Sequence, residues 1–363
     1  MANENTCRMR LFCVGDIAIC EDLTPLGNWR PPAGIEPDEC NQILFNFEFP
    51  IGEHLNPNPR GSGERFMANP HSIEVLKGWA PAFVTLANNH ILDADSSGLM
   101  STYQTLTSYG FKPLGAGFLE DEHRQFRFWK TGNGTLAILN WVFPETHPDL
   151  DNNPGANCWP GLDNSRTLIY RLKEEADWVI AVLHWSDELF GYPRPEDRLL
   201  AAALAAQGVD LIIGQHPHVV RGCEIIAGCP IFYSIGDFYF SDLQDHSGKW
   251  ILKEAPLNRT SLGIDIRFSK GEKLHISTHS FWRSKKNTIS DPFRRAERQL
   301  HHLSIPLQKY TLADYSIWYQ KKRRWFDRFG YRIQFRLYQT APLDLVSFAA
   351  KKIRRVLSDE VYQ

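Results

Sequence analysis

The chain lacks any run of about 18 apolar residues, so it encodes no conventional membrane-spanning helix. It also lacks a charge excess: 40 Lys and Arg meet 42 Asp and Glu, a net of −2 over 363 residues. A general nucleic-acid binder needs a strongly basic surface, and that class is excluded as the chain-wide function. No CxxC pair occurs among the seven cysteines (Cys7, Cys13, Cys20, Cys40, Cys158, Cys223 and Cys229), which are scattered and odd in number. Neither a zinc ribbon nor a disulfide framework fits that pattern, and reduced thiols are expected. A Cys223–Cys229 bridge across a hairpin is the one pairing worth testing. The first ten residues, MANENTCRMR, are polar, and the apolar run Leu11–Cys20 is broken by Gly15 and Asp16. That reads as a buried strand rather than a secretory leader, and a cytoplasmic protein is expected. There is no internal repeat and no low-complexity tract.

What is present is a globular composition. Hydrophobic residues make up 43% and charged residues 23%, and the 11 tryptophans supply bulk for a sizeable core. The length suits one large catalytic domain or two compact ones. The charge is unevenly placed. Residues 319–363 hold 11 Lys and Arg against 4 Asp and Glu, a net of +7 that leaves −9 on the remainder.

Up to about residue 240, strand-like and helix-like segments alternate. Leu11–Val14, Gln42–Phe47, Phe83–Leu86, Leu136–Trp141, Trp178–Leu183 and Leu211–Ile213 are short apolar runs of strand length. Ser72–Lys77, Gly98–Tyr109, Asn164–Glu175 and Pro195–Gln207 have helical spacing, the last stopped by Gly208. Glu224–Ile226 and Ile231–Ser234 read as a hairpin, and a further pair of strands is expected at Gly263–Phe268 and Lys273–Thr278. Residues 141–162 form a Pro-, Asn- and Gly-rich loop of rim or lid length. The alternation predicts an α/β protein of layered sheets and helices.

Polar residues follow the predicted strands: Asp16, Glu48, Asn89, His90, His184, His216 and His218. In open α/β sheets, ligands bind at the carboxyl ends of strands. Carboxylates, imidazoles and an amide oxygen are the donor set of a divalent metal. Each residue alone is weak evidence, because a strand-end histidine is more often structural and Asn-Asn is a turn signal. Together they predict a metal site.

At this point the sequence resembles the capsule-synthesis CapA family, also called the poly-γ-glutamate synthesis family, a branch of the calcineurin-like metallophosphoesterases. The motifs are VGDIAI at 14–19, NFEFPIGE at 46–53, LANNHILDADSSGL at 86–99, PLGAG at 113–117, LHW at 183–185, IIGQHPHVVRGCE at 212–224 and IFYSIGDFYF at 231–240. The resemblance covers residues 10–245. It implies a layered metallophosphoesterase-like β-sandwich flanked by helices over 1–290, followed by a basic, aromatic-rich helical extension packed on the body over 291–363. It implies one or two divalent ions (Mn, Fe or Zn). Asp16 and His218 would hold the first, Asn89, His184 and His216 the second, with Glu48 bridging. His90 would be the general acid or transition-state stabiliser. Asp93 either orients His90 or caps a helix. Substrate contacts are assigned to Asn46, Asn88, Trp185 and Asp237.

Two departures stand out. The triplet Asp16-Ile17-Ala18 lacks the imidazole that most metallophosphoesterases place third. Asp237 stands where the family usually has Asn, and it either restores charge, binds substrate or is a turn residue. The function implied is a metal-dependent hydrolase of capsule or exopolymer synthesis acting on an anionic polymer, a phosphate ester or a peptide. A metal-dependent peptide epimerase and a non-catalytic accessory protein are the alternatives. The tail from about Trp318, with Lys321–Arg324 beside Trp325, Phe326, Phe329, Tyr331 and Phe335, either packs inward or lies on an anionic polymer or the inner membrane face. Ala341-Pro342 is the expected break between two helices.

Overall fold

A computed structural model describes residues 8–55, 65–150, 152–244, 250–252, 255–284 and 286–334. In chain order the principal elements are β1 (Met9–Ala18), β2 (Asn41–Phe47), β3 (Ala82–Thr85), α1 (Asp95–Ser108), β4 (Lys112–Leu114), β5 (Phe126–Thr131) and β6 (Gly134–Val142). They continue with α2 (Leu162–Glu175), β7 (Trp178–His184), α3 (Pro195–Gln207), β8 (Leu211–Gln215), β9 (Cys223–Ile226), β10 (Cys229–Phe232) and β11 (Asp237–Phe240). The last are β12 (Thr260–Phe268), β13 (His275–Arg283), β14 (Thr288–Ser290), α4 (Arg295–Lys309) and α5 (Leu312–Trp325), followed by a π-helical turn and one short helix.

Two sheets result. The first runs β14-β13-β12-β1-β2-β3-β4, and the second β9-β10-β8-β7-β6-β5. Strands β1 to β4 are parallel, as are β6, β7, β8 and β10, so their carboxyl ends gather on one edge. Side chains alternate across each strand. Met9, Leu11 and Cys13 of β1 meet Leu136, Ile138, Ile180, Val182, Leu211 and Ile213 between the sheets. Phe12, Val14, Ile43, Phe45 and Val84 face outward under Leu99 and Leu106 of α1. Ala137, Leu139, Val179, Ala181 and Ile212 face outward under Ile169, Leu172, Ala201 and Leu204 of α2 and α3. The layers are therefore helix, sheet, sheet, helix.

Strand β1 changes partner along its length. Met9–Cys13 pair with β12, and Asp16–Ala18 pair in parallel with β11. This switch needs Gly15, where an added Cβ would lie 1.6 Å from the Gly236 carbonyl oxygen. It brings Asp16 opposite Asp237.

Helix α4 packs across β9 of the second sheet and β12 and β13 of the first, and α5 packs on α3 over the second sheet. Tyr315, Tyr319 and Phe326 are buried there, and the Tyr315 hydroxyl donates to the Pro193 carbonyl at 2.6 Å. Trp325, expected to pack inward, is 48% exposed, and Phe329 is half-buried. Phe335 and the Ala341-Pro342 break lie outside the described residues. Among the described residues no helix is long and apolar enough to cross a membrane. The cysteine expectation needs correction. Cys223 and Cys229 are both free, at opposite ends of the β9–β10 hairpin in register with Phe232 and Ile226, whereas Cys40 is disulfide-bonded.

Candidate metal centre

The parallel strands deliver their polar residues to one place. Asp16 comes from the end of β1 and Glu48 from just past β2. Asn89 and His90 follow β3, His184 ends β7, and His216 and His218 follow β8. Both of the last two hold left-handed backbone, φ 92° and 56°, a conformation that non-glycine residues keep only when their surroundings impose it. Asp237, at the start of β11, completes the ring.

Three overlapping groups of ligand atoms each lie within 4.8 Å of one another: Asp16, His218 and Asp237; Asp16, Glu48 and His184; Glu48, His216 and His218. His184 Nε2 stands 2.9 Å from Asn89 Oδ1 and 3.6 Å from Glu48 Oε1. His218 Nδ1 is 2.8 Å from Asp237 Oδ1 and 3.8 Å from Asp16 Oδ2. The His216 amide donates to Asp16 Oδ2 at 3.1 Å.

Asn46 and Asn88 are fully buried and act behind this ring. Asn46 Nδ2 donates to Asp16 Oδ1 at 2.9 Å and to Glu48 Oε2. Asn88 Nδ2 donates to Asn46 Oδ1 at 3.1 Å, while Asn88 Oδ1 accepts the His90 amide at 3.0 Å. Their amides hold the carboxylates and the His90 backbone in place.

Burial, and then Asp237, pushes the Asp16 carboxyl up to about 6. Burial, and then Asp16, drives Glu48 well above the ordinary carboxylate range. Burial holds His184 and His216 well below the ordinary imidazole value, so both are neutral. His218 goes the other way: burial opposes its charge, but Asp237 raises it well above the ordinary value. Glu48 Oε1, His184 Nδ1 and His216 Nδ1 are buried and have no hydrogen-bond partner. Two neutral imidazoles, three crowded carboxylates and orphaned acceptor atoms are what a divalent cation would satisfy. The residues present fit the metal that the fold implies.

His90 stands beside this ring and in none of its three groups. Its Nδ1 lies 2.7 Å from Asp93 Oδ2, which also accepts the Phe66 amide at 2.8 Å. The ring packs edge-on against Phe49 and Phe66. Asp93 does not cap α1, whose N-terminal position is Ala94 with no side-chain cap.

Comparison with known proteins places the chain in a family. The sequence profile described as "Bacterial capsule synthesis protein PGA_cap" matches residues 11–242. The chain belongs to the PGA_cap family. Its similarity to the PGA biosynthesis protein CapA of Bacillus subtilis (strain 168) is 30% identity over 201 residues, 54% of this chain and 53% of that one. It is 25% identical over 240 residues to the capsule biosynthesis protein CapA of Bacillus anthracis, 60% of this chain and 57% of that one. The chain thus spans somewhat more than half the length of these curated relatives. Among solved structures, a 5'-nucleotidase precursor from Thermus thermophilus aligns with a TM-score of 0.40 and 16% identity, covering 83% of this chain and 59% of that one.

Within this PGA_cap chain, the six residues read as metal ligands and the pair His90 and Asp93 come together where the strand ends of the two sheets meet. The expectation of a layered α/β sandwich with C-terminal helices also stands. Trp185 does not join the site. It is 0% exposed, stacks on Tyr233 and donates its Nε1–H to the Tyr233 carbonyl at 3.1 Å, so it belongs to the core over the second sheet. Asp237 lies among the ligand atoms rather than at their rim. Two arginines had no sequence signal. Arg65 Nη1 lies 3.6 Å from Asp93 Oδ1, and the fully buried Arg221 binds the loop after His184. Their partners are distant in sequence, so only the folded chain identifies them.

Proposed function

We propose that this PGA_cap protein is a metal-dependent hydrolase of capsule or exopolymer assembly, with a phosphate ester or an acyl-linked polymer as its substrate class. The observation behind this reading is His90: an imidazole held by a buried carboxylate next to a ring of metal ligands, and outside all three ligand groups. Asp16, Glu48, Asn89, His184, His216, His218 and Asp237 would hold one or two divalent ions. When bound, such ions supply Lewis acidity and lower the pKa of water at the centre. Asp93 accepts the Nδ1 proton of His90 and so leaves Nε2 directed toward the site. In the doubly protonated ring that nitrogen gives its own proton to the leaving group and returns to the neutral imidazole, a step that typically contributes 10²–10⁴-fold. Phe49 and Phe66 pack edge-on against the imidazole and hold its orientation. The carboxylate of Asp237 takes the place of the imidazole that Ala18 does not provide.

Contact with an anionic polymer or membrane surface belongs to the same proposal. Lys321, Lys322 and Arg324 are exposed beside the half-exposed Trp325. The test is turnover by the full chain loaded with Mn²⁺, Fe²⁺ or Zn²⁺ on p-nitrophenyl phosphate, bis-p-nitrophenyl phosphate and γ- or α-linked glutamyl peptides. Hydrolysis that requires both metal and His90 is expected. Hydrolysis that survives chelation, or epimerised peptide in place of cleaved product, overturns the reading.

A further inference from the structure

The loop that follows His184 is built against its own preferences. Ser186 and Leu189 both hold left-handed backbone, φ 73° and 63°. Residues without glycine's freedom keep such angles only when neighbours impose them. The loop is also joined to the turn that presents His216 and His218. Trp185 N donates to the Gln215 carbonyl at 3.3 Å and Leu189 N to the Pro217 carbonyl at 2.8 Å. Displacing residues 186–190 therefore moves ring residues on two strands.

Two arginines hold this loop from opposite sides. From inside the fold, Arg221 Nε donates to the Phe190 carbonyl at 2.9 Å and Nη1 to Ser186 Oγ at 2.6 Å. From outside, Arg323 of α5 donates through Nη1 to Asp187 Oδ2 at 2.7 Å. Its Nε donates to Asp327 Oδ1 at 2.8 Å, and its guanidinium lies 5.4 Å from the Phe190 ring centre. Phe190 is in turn packed on Tyr319 and Phe326, at ring separations of 5.5 and 4.9 Å. A cavity of about 460 Å³ opens between these parts, lined on one side by Glu145, Ser186, Glu188 and His216 and on the other by Arg323 and Tyr331. Helix α5 lies beyond residues 11–242, the part that matches the family.

We infer that helix α5 completes the wall of the functional site and that Arg323 is a positioning residue for the metal centre, acting through Asp187 on the loop after His184. The inference rests on the metal-centre reading above. Residues that orient metal ligands from behind typically change affinity 10- to 100-fold when removed. Arg323 is half-buried on the surface of its helix, so its loss leaves the Tyr315, Tyr319 and Phe326 core in place.

The test uses the full chain and three variants: Arg323→Ala, Asp187→Asn and Arg323→Lys. Lysine restores a charge to face Asp187 but cannot reach Asp327 at the same time, so it isolates the Asp187 link. Mn²⁺ alone is titrated by calorimetry, and the near-ultraviolet circular dichroism of the metal-free proteins reports the packing of the aromatic side chains, those of the loop after His184 included. We expect Arg323→Ala and Asp187→Asn to weaken Mn²⁺ binding about 10-fold or more, with an altered aromatic signal, and Arg323→Lys to recover most of both. Parent-like affinity and parent-like dichroism in Arg323→Ala overturn the inference, whatever its melting temperature. If the parent itself binds no Mn²⁺, the metal-centre reading falls. The dichroism then decides the loop claim: an unchanged spectrum in Arg323→Ala refutes it, and an altered spectrum restored by lysine upholds it.

Discussion

Replacing Glu48 by glutamine has an effect whose sign depends on pH and on metal. Glu48 is fully buried, its Oε2 accepts from Asn46, and its Oε1 has no partner. Burial, followed by the nearby Asp16, raises its pKa well above the ordinary 4.5. A carboxyl with a raised pKa in the folded state retains a proton that the unfolded chain releases. Stability is therefore full below 4.5 and falls as pH rises, by about 1.4 kcal/mol per unit, until the raised value is passed. At pH 7 the limit is about 3 kcal/mol for this one group. Glutamine has nearly the same shape, keeps an oxygen for Asn46 and does not titrate. With an unfolding entropy of about 2.1 cal/mol/K per residue, 3 kcal/mol over a chain of this length corresponds to about 4 °C. The chelator-treated Glu48→Gln protein is therefore expected to melt up to about 4 °C above the chelator-treated parent at pH 7. The gap should close toward pH 4.5. Saturating Mn²⁺ should reverse the order, because Glu48 belongs to two of the three ligand groups. Thermal melts followed by circular dichroism at pH 4.5, 5.5 and 7, with and without Mn²⁺, measure all of this. A metal-free variant less stable than the parent at pH 7, or a gap that ignores pH, refutes the reasoning.

Three other outcomes follow from the same geometry. His90→Ala should retain its metal and lose turnover by about 10²–10⁴-fold; loss of metal on elemental analysis would make His90 a ligand instead. Because the Asp16 carboxyl sits at about 6 in the metal-free protein, protons compete with metal below that pH. Mn²⁺ affinity measured by calorimetry should fall about fivefold or more from pH 6 to pH 5, and a flat profile would remove Asp16 from the ligand set. A chain ending at residue 311 loses Tyr315, Tyr319 and Phe326 from the core over the second sheet. Three aromatics burying about 150–250 Å² each, at about 25 cal/mol per Å², amount to roughly 11–19 kcal/mol, at least comparable with a whole folding free energy. That truncate should aggregate or melt far lower, and a soluble form with the parent's melting temperature would show α5 to be dispensable.

The strands that build the centre were legible because their apolar runs are short and end in polar groups. Asp16, Glu48, Asn89, His184, His216 and His218 could be named from that pattern, since parallel strands put their carboxyl ends on one edge. Strand β11 was not legible as a strand. It is four residues long, DFYF, buried throughout and without alternation, and its pairing with β1 depends on a glycine 222 positions earlier. Asp237 was consequently left open between restoring the site's charge, binding substrate and a turn, and the pairing sets it beside Asp16. Trp185 misled for the opposite reason. It follows a ligand directly, but successive strand residues face opposite ways, so a neighbour of His184 points into the outer core. Asn46 and Asn88 look like substrate amides in a sequence, and only the folded chain shows that Asn46 holds two carboxylates and Asn88 holds Asn46 and the His90 backbone. Arg221 and Arg323 act on residues 35 and 136 positions away, a range that no local pattern encodes.

The central claim is that strand-end residues from both sheets form one metal centre. Metal content of the purified full chain and of His184→Ala and His216→Ala, measured by inductively coupled plasma mass spectrometry beside a thermal melt, tests it most directly. One to two equivalents of Mn, Fe or Zn in the parent, and their loss from both variants without loss of the folded state, is the result predicted. A parent without metal after incubation with each ion, or variants that hold as much as the parent, would contradict it.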